Sequence, residues 1–325
     1  MRVLVTGGAG YIGSVMVRML TDEGHDVLVL DDLSKGHRQA VHGVDIAVVD
    51  LEDLPAVTES CRAFKPEACL HFAARSLVAE SVADPLAYFR TNVGGGLNLV
   101  SALSEAGCGL LVFSSTAATY GIPEGSPITE DSRTAPINPY GLSKLLFEQI
   151  LDQLSLAGSL RYVSLRYFNA AGADVRHDLG EDHDPETHLI PRVIAAALGT
   201  EPRVVIYGND YPTPDGTCIR DYIHVLDLAR AHLLALEYLS SGGTSAVFNL
   251  GNGKGFSVRE VIDVVRRASG RDFEVVDAER REGDPPVLVA SSERIMSRLG
   301  WKPEFADLEG IVETAWQWHS RHPDG

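Results

Sequence analysis

The feature that most restricts the fold of this chain lies at its amino terminus. There a short apolar run, Arg2-Val3-Leu4-Val5-Thr6, passes directly into Gly7-Gly8-Ala9-Gly10-Tyr11-Ile12-Gly13. The Val- and Leu-rich run reads as a strand buried on both faces. A helical pattern follows to about Glu23. Glycines at 7, 10 and 13 allow a tight turn, close approach of backbone to a pyrophosphate, and close packing of helix on strand. The anion then lies at the positive end of the helix. A strand, a glycine turn and a helix in this order open a nucleotide-binding sheet.

The second strand, Asp26–Leu30, ends in Asp31-Asp32. Asp31 can accept hydrogen bonds from a ribose diol and would repel a 2′-phosphate. NAD is therefore expected over NADP, with Lys35 and Arg38 near enough to weaken that preference. Strand and helix patterns go on alternating. Val44–Val49, ending at Asp50, is a further strand, as are Cys69–Ala73, Leu110–Ser114 and Tyr162–Arg166. Helices are expected near 53–63, 84–106 and 139–157. The alternation predicts an α/β fold, a doubly wound parallel Rossmann-type sheet. Ligands of such sheets bind beyond the carboxyl ends of the strands. Phe72-Ala73-Ala74-Arg75, Ser114-Ser115-Thr116 and Tyr167-Phe168-Asn169 stand there.

The formal net charge of −17 argues against nucleic acid or an anionic membrane as partner, since both need clustered positive charge. Any phosphate must be held by a few placed arginines and by backbone amides. Cys61, Cys69, Cys108 and Cys218 fit neither a zinc motif nor a disulfide framework. Reduced thiols and a cytoplasmic enzyme are expected. The chain enters its first strand without a signal peptide, and no apolar run is long enough to span a membrane.

Asn138-Pro139-Tyr140-Gly141-Leu142-Ser143-Lys144 carries the second signal. Asn138 can cap a helix and Pro139 suits its first turn. Tyr140 and Lys144 then share one helical face. A nearby cation favours a phenolate, so Lys144 is expected to make Tyr140 a base near neutral pH. Alone, the stretch reads more readily as an amphipathic helix with a half-buried Tyr and a solvated Lys, since short matches arise often by chance. Thr116, at a strand end 24 residues before Tyr140, adds a hydroxyl able to bond a substrate hydroxyl or carbonyl.

With Thr6–Gly13, His71-Phe72-Ala73-Ala74, Phe113–Gly121, Pro139–Lys144 and Arg166-Tyr167-Phe168-Asn169 in place, the chain resembles the extended short-chain dehydrogenase/reductase family. The resemblance is closest to its UDP-glucose 4-epimerases and covers essentially the whole chain. It implies bound NAD, with Gly7, Gly10, Tyr11, Ile12, Gly13, Asp31, Asp50, Leu51, Phe72, Ala73, Ala74, Asn92, Ser114, Tyr140, Lys144 and Tyr167 as its contacts. It implies a UDP-sugar held by Thr116, Tyr140, Asn169, His188, Leu189, Tyr207, Arg220, Arg281 and Asp284. Tyr140, Lys144 and Thr116 would be catalytic. Tyr140 would take the proton of the sugar 4-hydroxyl while hydride leaves C4 for NAD. The 4-keto sugar would turn, and hydride would return to its other face. A homodimer through the helices near 84–106 and 139–157 is also implied.

Residues 1–168 are expected to form the NAD-binding domain. Residues 169–325 would form a smaller α/β substrate domain interleaved with it. Within the latter, 170–188 reads as a solvated acidic loop near the substrate, and no metal is expected despite His177, His183 and His188. A structured loop from Tyr207 delivers Arg220, and a second loop delivers Arg281; two arginines can clamp a diphosphate. Some positions depart from the family pattern. Thr116 stands for a common Ser, Ser76 for a Lys, Thr91 for an Asn, and His188 for an Asn. Leu288 falls where size is tied to N-acetylated sugars. The rival readings are an epimerase of N-acetylhexosamine or pentose UDP-sugars, a nucleotide-sugar decarboxylase, and a non-catalytic NAD sensor. A dehydratase would need an Asp-Glu pair after Thr116, where Ala117-Ala118 stand.

Overall fold

The computed structural model describes residues 1–281 and 283–323. Its main sheet contains β1 (Arg2–Thr6), β2 (Asp26–Asp31), β3 (Asp45–Val48), β4 (Ala68–His71), β5 (Leu110–Thr116), β6 (Arg161–Tyr167) and a seventh strand, Ala246–Leu250. The order is Ala246–Leu250, β6, β5, β4, β1, β2, β3, and every pairing is parallel. The chain winds outward from β1 in one direction, then restarts at β4 and winds the other way. A crevice opens at such a reversal, beyond the carboxyl ends of the strands. Gly7 follows β1 and Phe72 follows β4 at that point.

Alternation of side chains divides the core in two. Val3 and Val5 of β1 join the apolar cluster beneath helix α1 (Tyr11–Asp22) and helix Val225–Ser240. Leu4 joins the opposite cluster with Leu99, Phe147 and Leu151. All are fully buried, at about 1.5–3 kcal/mol for each large side chain. Helix Pro139–Leu156 starts as expected, with the Asn138 Oδ1 accepting from Gly141 N at 2.8 Å.

The smaller unit packs helices Leu189–Leu198, Val258–Ser269 and Leu308–His319 around a parallel pair, Val204–Tyr207 with Val275–Ala278. Ile219–Arg220 lies between Phe256–Ser257 and Val287–Leu288 in a second small sheet. Helix Val225–Ser240 and strand Ala246–Leu250 lie beyond residue 168, yet they complete the first sheet. Among the described residues, no helix is long and apolar enough to cross a membrane.

Three elements differ from expectation in detail. β5 extends through Thr116, so Ser114-Ser115-Thr116 are its last three residues rather than a turn after it. Helix Leu189–Leu198 begins two residues before Pro191, near which the sequence pattern places its start, and takes that proline into its first turn, where a missing N–H costs nothing. The helix near 84–106 is broken by a π-helical stretch, Phe89–Gly95. Such wide turns often occur at functional sites, and this one carries Asn92.

Candidate active site

The glycine turn is built as the spacing implies. Gly7 has φ 70°, and a methyl on it would meet the Ala73 amide nitrogen at 2.5 Å. A methyl on Gly13 would meet the Gly7 carbonyl oxygen at 2.1 Å. At Gly10 the nearest atom would be 3.5 Å away, so the backbone there leaves room for a ligand. Asp31 closes the turn from β2. Its Oδ2 accepts from Ala9 N and its Oδ1 from Leu33 N, each at 2.9 Å. Burial raises its carboxyl pKa, and those two bonds pull it back. An ionised carboxylate has lone pairs to spare for a diol. Lys35 sends its ammonium to the Asp184 carbonyl at 2.5 Å, away from any 2′-phosphate beside Asp31.

At the carboxyl end of β5, three predicted residues converge. Lys144 Nζ donates to the Ser114 carbonyl at 2.9 Å and lies 4.8 Å from the Phe113 ring centroid. The Thr116 side chain neighbours the Tyr140 phenol and favours its ionised form, while the Thr116 Oγ1 accepts from Ala118 N at 3.1 Å. Tyr140 packs edge-on to Tyr88, 6.4 Å between centroids. The electrostatics differ from expectation. Burial raises the Tyr140 pKa, against a lowering by Thr116. Burial also brings Lys144 down to about 7, with Glu148 opposing. Desolvation penalises the charged form of each, so a phenolate at Tyr140 calls for further positive charge beside it.

Residues singled out by the sequence also serve as supports. Asn92 accepts from Arg75 N at 2.8 Å and donates to Arg75 O and Ser143 Oγ at 3.0 and 2.9 Å. It thereby pins the Ala73-Ala74-Arg75 turn to the catalytic helix. Arg75 pairs with Glu80 at 3.2 Å. Tyr11 donates its phenol to the Gly172 carbonyl at 2.6 Å, joining the two units. Asp50 is exposed and accepts from Glu52 N, whereas Leu51 is buried against Gly95.

The smaller unit faces this end of the sheet with the predicted arginines. Arg220 is ion-paired with Asp284. The Arg281 guanidinium lies over the Tyr207 ring, 4.1 Å from its centroid. Asn169 donates its amide to the Asp221 carbonyl at 2.7 Å. Leu288 is paired in register with Arg220, so its size bears on the same site. Leu189 opens a helix whose N-cap is His188.

Two groups escaped sequence reasoning. Ser114 Oγ contacts buried His232 Nε2 at 3.2 Å, and that ring packs 4.7 Å from Phe72. Burial lowers the His232 pKa to about 4, so the ring is neutral. Below Lys144, Glu148 takes Arg166 Nη2 and Ser115 Oγ, both at 2.5 Å. Arg166 Nη1 donates to Tyr120 Oη, which donates to Asn249. Glu148 lies four residues after Lys144 on one face, a signal the sequence did offer.

The acidic loop is not the solvated segment that was expected. Glu181, His183, Glu186 and His188 gather, with Glu181 buried. The loop is pinned from outside. Gly180 lies under the Trp318 ring, Asp182 pairs with His37 at 3.2 Å, and Lys35 holds Asp184. The loop therefore turns its remaining carboxylates inward. Burial lowers the pKa of His183 and of His188, but Glu181 and Glu186 outweigh it and hold them at about 9 and about 10.

Residues 3–251 match the profile of the NAD dependent epimerase/dehydratase family. The chain is 51% identical over 325 residues to a UDP-glucose 4-epimerase of Halalkalibacterium halodurans, covering 100% of this chain and 97% of the relative. A crystal structure of UDP-glucose 4-epimerase from Brucella ovis in complex with NAD superposes with a TM-score of 0.95 at 48% identity, covering 97% of each chain. One from Bifidobacterium longum, in complex with NAD+ and UDP, gives 0.94 at 35% identity and covers 100% of each chain.

Proposed function

This chain belongs to the NAD-dependent epimerase/dehydratase family, and on that premise we propose that it interconverts UDP-glucose and UDP-galactose by inverting C4 with a resident NAD. The observation that carries the reading is the meeting of Tyr140, Thr116 and Lys144 at the end of β5, beside a glycine turn shaped for a pyrophosphate. Gly7, Gly10 and Gly13, with the Tyr11 and Ile12 amides, would hold the diphosphate, and Asp31 the adjoining ribose. Bound NAD would supply an acceptor for the electron pair leaving C4 and return it later.

With the positively charged dinucleotide bound beside it, Tyr140 would release its own proton to solvent and, as phenolate, take the proton of the 4-hydroxyl and give it back after the sugar has turned. Thr116 bonds the same oxygen and shares its proton. Lys144, anchored on the Ser114 carbonyl, orients the dinucleotide's second ribose. Arg220 and Arg281 keep the diphosphate fixed while the 4-keto ring rotates, and Asp284 keeps Arg220 aimed. Purified protein given UDP-galactose and no added dinucleotide is expected to reach a mixture with UDP-glucose by NMR, and to stop once stripped of NAD. Absence of conversion in the first case, or full rate in the second, rules the reading out.

Two further readings belong here. The chain forms a homodimer. Val82, Leu86, Leu97 and Leu142 are exposed, and Leu146 and Ile150 continue the Leu142 stripe at helical spacing. The protein works in the cytoplasm, a reading supported by four buried, unpaired cysteines and checked by cell fractionation.

A further inference from the structure

Four side chains on the loop before helix Leu189–Leu198 stand closer than a solvated loop requires. One donor atom each from Glu181, His183, Glu186 and His188 lie within 4.8 Å of one another. His188 Nδ1 is 2.7 Å from Glu181 Oε1 and 3.1 Å from Glu186 Oε1. His183 Nδ1 is 3.2 Å from Glu181 Oε1 and 3.6 Å from Glu186 Oε2. The Glu181 side chain is only 4% exposed. His183 Nδ1 and Glu186 Oε2 are shielded from water and make no hydrogen bond. Each faces a charged partner out of hydrogen-bonding geometry, an arrangement that an ion between them would complete.

We propose that Glu181, His183, Glu186 and His188 bind one divalent transition cation of the zinc class. Two imidazoles and two carboxylates make a mixed nitrogen and oxygen donor set, which suits zinc and its neighbours rather than magnesium or calcium. Ligands about 2.0–2.2 Å from a tetrahedral zinc stand about 3.4 Å apart. The present separations, from 2.7 Å to at most 4.8 Å, bracket that spacing. Four protein ligands leave no open position, so the site is structural. It lies where Lys35, His37 and Tyr11 of the dinucleotide-binding half meet the loop. The cation thus ties Glu181 to the start of helix Leu189–Leu198 within one loop that borders the cofactor half, a role separate from the chemistry at Tyr140.

The test uses the tag-free, NAD-loaded protein. After treatment with a chelator and its removal, zinc chloride is added and bound metal is measured by mass spectrometry. About one zinc per chain is expected, with a higher melting temperature. His183→Gln and Glu186→Gln are each expected to weaken binding by more than the roughly 10–100-fold that a supporting residue costs. Cobalt(II) added to the unmutated protein is expected to give the intense visible band of a tetrahedral site, a readout independent of whether the variants fold. Failure to retain zinc, zinc retained in full by the doubly substituted protein, or a cobalt spectrum like that of the free aqueous ion would each overturn the proposal.

Discussion

Tyr140 must trade a proton with a sugar oxygen from a position where burial favours the neutral phenol. In the free protein the proton stays on the ring, and Thr116 is the neighbour that loosens it. Replacing Tyr140 by Phe removes the exchangeable proton and keeps the ring that packs on Tyr88. Conversion is expected to fall by about 10²–10⁴-fold, the usual span for a general acid–base group. NAD released on denaturation, measured by chromatography, should remain near the unmutated level. An unchanged rate would remove Tyr140 from the chemistry. Tyr140 and Lys144 were legible in the sequence because a four-residue spacing fixes which side chains share a helix face. Their protonation was not, because spacing says nothing about how dry that face is. The depth of Lys144 depends on Phe113 and on the strand beneath it.

Helix Pro139–Leu156 owes its position to a buried charge pair as well as to apolar packing. Glu148 and Arg166 side chains are 5% and 8% exposed, and Arg166 is bonded onward to Tyr120. Glu148→Gln leaves a guanidinium in the core with its charge uncompensated. A loss of about 3–5 kcal/mol is expected, read as a lower urea midpoint with an unchanged slope. A midpoint within error of the original would show that the pair is dispensable. Strands and helices of the first half were readable as elements because their apolar periods run without interruption. The loop 170–188 was misread because its constraints come from residues remote in sequence, Trp318 on one side and Lys35 and His37 on the other. No local pattern announces such partners.

At the scale of the molecule, three of the exposed apolar residues, Val82, Leu86 and Leu142, lie on helix Pro139–Leu156 and on short helices packed against it. A stable dimer buries about 800 Å² on each partner, and in the proposed homodimer Leu86, Val82 and Leu142 would supply the apolar centre. Leu86→Glu is expected to shift the protein to a monomer in analytical ultracentrifugation; a retained dimer would point to another surface. The doubly wound sheet was foreseeable from alternation alone. Its seventh strand was not, since Ala246–Leu250 is a single short apolar run that could have belonged to either unit. Its membership has a consequence for how the protein is made. β6 is finished at residue 167, but its outer neighbour ends at residue 250. A ribosome adding about 5–20 residues per second needs on the order of 4–17 s to cover that interval. Through it, the nascent chain carries an open β6 edge and an α1 without the helix that covers it. Such edges recruit other chains, so the first half is a client for chaperones on the ribosome and a poor candidate for expression by itself.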